Sequence, residues 1–69
     1  MTTTAEVMRT KRQALGLTQA QLAEAAGVGR RQIRRYEAGD AQPPLLVAAR
    51  IARALRITLD ELAGFPTPE

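Results

Sequence analysis

The stretch that decides the fold is residues 18–39, which read TQAQLAEAAGVGRRQIRRYEAG. Its first half predicts a helix that begins at Thr18, where Thr18 and Gln21 have the spacing of a capping box, and ends at Gly27. Its second half predicts a helix over Arg30–Ala38, which a glycine again ends. Two helices joined by a tight, glycine-containing turn form a helix-turn-helix, so this stretch predicts the unit around which the chain folds.

Three further helices are expected around this unit, at Thr4–Leu15, Pro44–Leu55 and Thr58–Leu62. The first and the last follow capping-box pairs, Thr3 with Glu6 and Thr58 with Glu61. Pro44 suits a first helical position, because proline has no N–H to lose there. The helix that it starts has apolar residues at helical spacing, which are expected to face the core: Leu45, Ala48, Ile51, Ala52 and Leu55. The sequence therefore predicts an all-α fold.

The length and composition limit what this fold can contain. With 69 residues there is room for one domain, with a core over about 4–63 and a short proline-containing tail at 64–69. The chain has no cysteine and no histidine, which excludes disulfides and zinc sites built on those ligands, and no cofactor is expected. Stability must come from aliphatic packing, in a domain that buries only about 60% of its unfolded surface.

The positive charge is concentrated on the second helix of the unit. Four arginines fall within six residues, with no acid between Glu24 and Glu37: Arg30, Arg31, Arg34 and Arg35. At about 100° per residue, the four lie within about 140° of one another, while Ile33 and Tyr36 lie on the other side. This pattern is typical of either a solvated helix face or a site for a polyanion such as nucleic acid.

The chemistry of arginine favours nucleic acid over a solvated face. A guanidinium can bond O6 and N7 of a guanine at once, or hold a phosphate with two hydrogen bonds. A solvated helix more often mixes lysine, glutamate and glutamine, which pair along the helix. Four arginines without an acid repel one another unless a polyanion relieves the repulsion. We therefore interpret this face as one that reads double-stranded DNA.

Other classes of function fit the sequence less well. No apolar run approaches the roughly 20 residues that span a membrane, and the N-terminus lacks the pattern of a signal peptide, so a cytoplasmic protein is expected. The chain has no histidine, cysteine or plausible carboxylate pair, which argues against an enzyme, and no small-molecule ligand is expected. A surface for RNA or anionic membrane is a rival, but readers of single-stranded RNA usually stack bases on aromatics, and the arginine face has none.

A family resemblance adds to this interpretation. Residues 18–39, followed by Pro43 and by ARIARALRITLDEL at 49–62, resemble the Cro/repressor-type (XRE) helix-turn-helix family over about Met8 to Leu62. The resemblance implies a compact, five-helix, lambda-repressor-like domain. It also implies a dimer that binds a palindromic operator, with two reading helices in successive major grooves about 34–36 Å apart.

The resemblance also implies roles for individual residues. Base readout falls to three positions of the reading helix, namely Arg30, Arg31 and Arg35. Phosphate or groove-edge contacts fall to Thr18, Gln19, Gln32 and Arg34. Helix capping is the alternative interpretation for Gln19, and more so for Gln21.

Other residues are expected to have structural roles. The resemblance implies that Glu37 forms an ion pair with Arg12 of the first helix, although Glu37 could instead pair with Arg34 along its own helix.

The chain departs from the family pattern at three places. One is the loop after the third helix, which often carries lysine or arginine for phosphate but here contains Asp40. Gly29 stands where a serine or threonine usually caps the reading helix, and Arg56 stands where a glycine often ends the fourth helix.

The sequence thus predicts a transcriptional regulator, by default a repressor. Leu59 and Phe65 are the candidate residues of a homodimer interface, since one subunit of this size presents few contacts to DNA. The alternative is an antitoxin-type or controller-type protein that binds a partner and also regulates its own operon.

Overall fold

The computed structural model describes residues 2–65, and these form five α-helices and no strand. The helices are α1 (Thr4–Ala14), α2 (Gln19–Ala26), α3 (Arg30–Ala38), α4 (Leu45–Leu55) and α5 (Leu59–Leu62). The expected all-α fold is confirmed. Residues 66–69 of the expected tail lie outside the described part of the chain.

Threonines cap three of the helices. The side chains of Thr3 and Thr18 each accept a hydrogen bond from the backbone three residues later, and the reciprocal bond completes a capping box at both. Thr58 accepts a hydrogen bond from the Glu61 backbone N–H, 3.0 Å away. The capping box expected there is only half formed, because the Glu61 carboxylate pairs with Lys11 Nζ at 2.9 Å instead.

The start of α4 differs from the prediction. Pro44 precedes the helix instead of opening it, since its backbone is extended (ψ 160°) and its carbonyl accepts the first helical hydrogen bond from Ala48. Leu45 was expected to face the core, but it is 72% exposed. It lies in the first turn of α4, where the helix extends past the core, whereas Ile51 and Leu55 further along are buried.

The core draws on every helix. Its fully buried large side chains come one from each, Met8, Leu22, Ile33, Ile51 and Leu62. Burying one such side chain contributes about 1.5–3 kcal/mol. α3 packs against α1 and α2, while α4 packs against α2, α5 and α1. α3 therefore packs against two other helices on its buried side.

Two polar contacts join α5 and the residues that follow it to α1 and the residues that precede it. One is the Lys11–Glu61 ion pair, and the other is a hydrogen bond from the Thr2 N–H to the Gly64 carbonyl at 3.4 Å. A side chain at Gly64 would collide with the Thr2 backbone, since a Cβ there would lie 1.7 Å from the Thr2 oxygen. None of the helices in residues 2–65 is long and apolar enough to cross a membrane.

Candidate nucleic-acid interface

The turn between α2 and α3 is short and anchored. α2 ends at Gly27, whose left-handed backbone (φ 67°) turns the chain. The Val28 N–H then donates to the Ala23 carbonyl at 2.9 Å, and the Val28 side chain packs against the core. Gly29 precedes α3 and gives it no side-chain cap. The turn thus fixes the direction in which α3 leaves, although the first N–H groups of α3 donate to no side-chain cap.

The side chains of α3 divide into two faces. The inner face is buried and consists of Ile33, Tyr36 and Glu37. The outer face is exposed and consists of Arg30, Arg31, Gln32, Arg34 and Arg35. We call its four arginines the reading face. The helical spacing predicted from the sequence therefore agrees with the observed burial.

The reading face has no partner within residues 2–65. None of its four arginines forms an ion pair or a side-chain hydrogen bond with these residues. Each guanidinium carries five N–H donors in a planar fork that matches carboxylates, phosphates and guanine edges. Four positive groups on one side of a short helix can therefore bind a polyanion without first breaking an internal contact.

Glu37 forms the opposite arrangement on the inner face. Only 3% of the residue is exposed, and its carboxylate accepts two hydrogen bonds from Arg12, Nε to Oε2 at 2.8 Å and Nη2 to Oε1 at 3.0 Å. Gln19 Nε2 donates a third, to Oε1 at 3.2 Å. Glu37 thus pairs with Arg12 and not with Arg34, and its carboxylate joins α3 to both α1 and α2.

Two further contacts around Glu37 were not predicted from the sequence. Arg12 Nη1 donates to the Leu17 carbonyl at 2.8 Å, in the loop between α1 and α2. Arg9 donates a hydrogen bond to the main-chain carbonyl of Glu37. The one available signal for Arg9 is its position three residues before Arg12, on the same face of α1. We call Arg9, Arg12, Gln19 and Glu37 the Glu37 cluster.

The start of α2 carries two of the residues expected to contact phosphate, Thr18 and Gln19. Thr18 is exposed and caps α2, with Gln21 N–H donating to its hydroxyl at 3.0 Å and Gln21 Oε1 accepting from its backbone N–H at 2.8 Å. Gln21 is therefore a capping residue. Gln19 does not cap, because its amide donates to Glu37 and lies half-buried between α2 and α3.

The match to known proteins covers this whole arrangement. Residues 8–62, from the middle of α1 to the end of α5, match the helix-turn-helix family. The chain belongs to the Cro/repressor-type (XRE) branch of that family. This is a family of DNA-binding transcriptional regulators and not a class of enzymes.

Two relatives support this membership. The chain is 37% identical over 59 residues to the cryptic phage CTXphi transcriptional repressor RstR of Vibrio cholerae, and the match covers 86% of this chain. It spans only 53% of the length of that repressor. It is also 51% identical over 49 residues to an HTH-type transcriptional regulator of Methanothermobacter thermautotrophicus, covering 71% of each.

Solved structures show the same fold. The DNA-binding domain of the P22 C2 repressor in solution superposes with a TM-score of 0.86 at 26% identity, covering 91% of this chain and 84% of that one. A transcriptional regulator from Listeria innocua superposes with a TM-score of 0.79 at 27% identity, covering 96% of this chain and 62% of that one. The lambda-repressor-like fold expected from the resemblance is therefore confirmed.

The remaining candidates lie away from α3. Leu59 is 41% exposed and Phe65 is 52% exposed, so both are accessible to a partner. A groove of about 420 Å³ lies beside Leu59 and is also lined by Leu45 and Pro43. Among residues 2–65, no group of three acidic side chains is placed to hold a metal ion.

Proposed function

We propose that this protein is a sequence-specific, double-stranded DNA-binding transcriptional repressor that acts in the cytoplasm as a homodimer on a palindromic operator. The observation that carries the proposal is the reading face, four arginines that have no partner in residues 2–65, on a helix whose inner face packs against two other helices. In this arrangement α3 lies in the major groove and α2 crosses the phosphate backbone.

Base readout is assigned to Arg30, Arg31 and Arg35. All three are exposed, and their side chains donate to no group in residues 2–65, so their guanidinium forks are available to base edges. Because arginine bonds O6 and N7 of guanine together, half-sites that contain guanine are expected. Gln32 and Arg34 are assigned to the groove edge or to phosphates, which add affinity without sequence information.

Phosphate binding at the start of α2 is assigned to Thr18 and Gln19. A helix N-terminus favours an anion, because its first N–H groups and the helix dipole both point towards it. The hydrogen bond of Gln19 to Glu37 supports this role, since it holds the amide at a fixed position relative to α3. A phosphate bound there would set the depth of the reading helix in the groove.

A dimer is proposed because one copy offers few contacts to DNA. Leu59, the first residue of α5, and Phe65, which follows that helix, are exposed large apolar side chains, and Leu59 borders the groove that Leu45 also lines. A second copy at this surface would cover apolar area that otherwise faces water. The two reading helices would then enter successive major grooves about 34–36 Å apart.

Selection of bound sequences from random duplexes, followed by sedimentation of the selected complex, tests the proposal. The expected result is two inverted half-sites about 10–10.5 base pairs apart, bound by two copies. Arg50→Gln is a matched control, since Arg50 is exposed on α4 and lies outside the reading face. Equal binding of random and selected duplexes at low salt would contradict sequence-specific reading, and a single half-site bound by one copy would contradict the dimer.

A further inference from the structure

The outward side of α4 carries three exposed residues that the DNA-binding proposal does not use. Leu46, Arg50 and Arg53 follow one another at spacings of four and three residues. At about 100° per residue they lie within about 60° of one another on the helix. Ile51 and Leu55 face the core from the opposite side. α4 therefore presents a single outward stripe that is apolar at one end and basic at the other.

The positive charge of this stripe has no ion-pair partner in the part of the chain that the structure describes. No acidic residue occurs between Asp40 and Asp60 in the sequence. Within residues 2–65, neither Arg50 nor Arg53 forms an ion pair or a side-chain hydrogen bond. α4 packs against α2, α5 and α1, whereas α3 packs against α1 and α2. The stripe thus belongs to a different helix from the reading face.

Arg56 extends the basic end at a conformational cost. It follows the last residue of α4 in a left-handed conformation, φ 61°, and it is the one non-glycine residue in residues 2–65 with a positive φ. The other residues with a positive φ in this part of the chain are glycines, namely Gly16, Gly27, Gly39 and Gly64. A cation at a helix C-terminus is favoured by the dipole, but a glycine here would avoid the strain altogether. A non-glycine residue kept in this strained conformation indicates that the Arg56 side chain has a function.

We propose that Leu46, Arg50, Arg53 and Arg56, here called the α4 face, form a docking surface for an acidic, amphipathic helix of a partner protein. Residues three or four apart on a helix have Cβ atoms about 5–6 Å apart, so carboxylates at that spacing would match the arginines. Arginine and carboxylate form two parallel hydrogen bonds. Leu46, which is 74% exposed, favours a protein over nucleic acid, because the apolar side of an amphipathic helix can cover a leucine, whereas charged phosphates gain little from it.

A synthetic helical peptide tests the proposal directly. The probe is about 14 residues long, or four turns, with three glutamates and one leucine on one side, and its control has glutamines in place of the glutamates. Fluorescence anisotropy at low salt should show binding of the glutamate peptide, with the glutamine peptide roughly tenfold weaker, because the pairing is charge-assisted. No binding of the glutamate peptide would overturn the proposal.

Paired variants separate the α4 face from the reading face. Arg50→Gln with Arg53→Gln should weaken peptide binding roughly tenfold and leave duplex affinity within about twofold. Arg34→Gln with Arg35→Gln should weaken duplex affinity and leave peptide binding nearly unchanged. Circular dichroism checks that both variants fold, and since all four side chains are exposed we expect them to. If the α4 variant instead weakened duplex binding and lowered its salt dependence, the occupant would be DNA and the proposal would be wrong.

Two single variants test the ends of the α4 face. Leu46→Ala should weaken the peptide roughly threefold without affecting duplex binding, because only a protein partner contacts the leucine. Arg56→Gly should weaken the peptide while Tm stays the same or rises, since glycine relieves the positive φ. Peptide binding unchanged in both variants would overturn the assigned surface. Peptide binding needs no DNA, so its outcome is independent of the duplex selection described above.

Discussion

The two faces of α3 use arginine in opposite ways. On the inner side, the Arg12 side chain of α1 donates to the Glu37 carboxylate and the Leu17 carbonyl. On the outer side, the side chains of Arg31 and its neighbours on the reading face form no hydrogen bond or ion pair within residues 2–65. The difference shows that a buried carboxylate, and not the type of residue, decides whether an arginine holds the fold or remains free for a ligand.

This contrast follows from the energy of charges in and out of water. A buried carboxylate such as Glu37 must keep its donors, because an unpaired buried charge is strongly destabilising. An exposed guanidinium is solvated and loses little when it exchanges water for phosphate or base. Variants on the inner side should therefore change stability, and variants on the outer side should change binding.

The largest effect is expected from Glu37→Gln. It removes the charge that Arg12 faces and should lower the free energy of unfolding by about 3 kcal/mol, as measured by urea denaturation. In a domain of this size, each 1 kcal/mol corresponds to about 4–8 °C in Tm. A double-mutant cycle with Arg12→Met is the control, since the double variant should lose less than the sum of the single variants. A Glu37→Gln protein that melts like the parent would contradict a structural role for the pair.

Arg31→Ala is the matching change on the outer side. It should reduce discrimination at one base position of the selected operator by about 1–3 kcal/mol, which is roughly 5- to 150-fold in relative affinity. Tm should stay at the parent value, because the side chain is exposed and forms no ion pair or hydrogen bond within residues 2–65. Competition among duplexes changed one base pair at a time measures the effect. A uniform loss at every sequence would reassign Arg31 to the phosphates.

Gln19 lies between the two faces of α3, so Gln19→Ala should lower both duplex affinity and stability, each by a smaller amount. Losing the proposed phosphate contact should weaken all duplexes alike, by about 1 kcal/mol. Stability should fall only slightly, since Glu37 keeps both hydrogen bonds from Arg12. Gln21→Ala is the matched control on the same helix: it loses the capping bond to Thr18 but should keep duplex affinity. Sequence-dependent weakening by Gln19→Ala would place it among the base readers instead.

The smallest effect on stability is expected from Glu6→Gln. Glu6 is an exposed carboxylate, whereas Glu37 is a buried one. Hydrogen bonds from the Thr3 hydroxyl and then the Thr3 backbone N–H lower the pKa of Glu6. A lowered pKa in the folded state means that the capping box stabilises the protein above the ordinary glutamate range. This contribution is lost as the pH falls through the lowered pKa. Tm measured against pH should fall less steeply on acidification for Glu6→Gln than for the parent, and parallel curves would count against the capping box.

Local sequence signals predicted the helices and the reading face because the relevant interactions span only a few residues. α3 runs over Arg30–Ala38 as expected, since Gly29 and Gly39 bound it and its two faces follow from helical spacing. The contacts that the sequence did not reveal join distant positions. Arg9 meets Glu37 across 28 residues, and Glu61 turns to Lys11 instead of closing its own capping box.

The burial of α4 was predicted less well, for a related reason. Helical spacing placed Leu45 with Ile51 and Leu55, but spacing gives only the direction of a side chain around its helix. How far the neighbouring helices extend along α4 depends on tertiary packing. Leu45 points towards α5 and the groove beside Leu59, where the core has already ended.

The contacts of Arg12 have a consequence for how the protein would meet DNA. The Arg12 guanidinium donates to both the Leu17 carbonyl and the Glu37 carboxylate, and so joins the loop after α1 to the end of α3. The Gln19 amide donates to the same carboxylate and joins α2 to α3. These hydrogen bonds fix the backbone of the first three helices relative to one another before DNA is bound. The entropy lost on association would then fall mainly on the arginine side chains, at about 0.5–1.5 kcal/mol for each one that is immobilised.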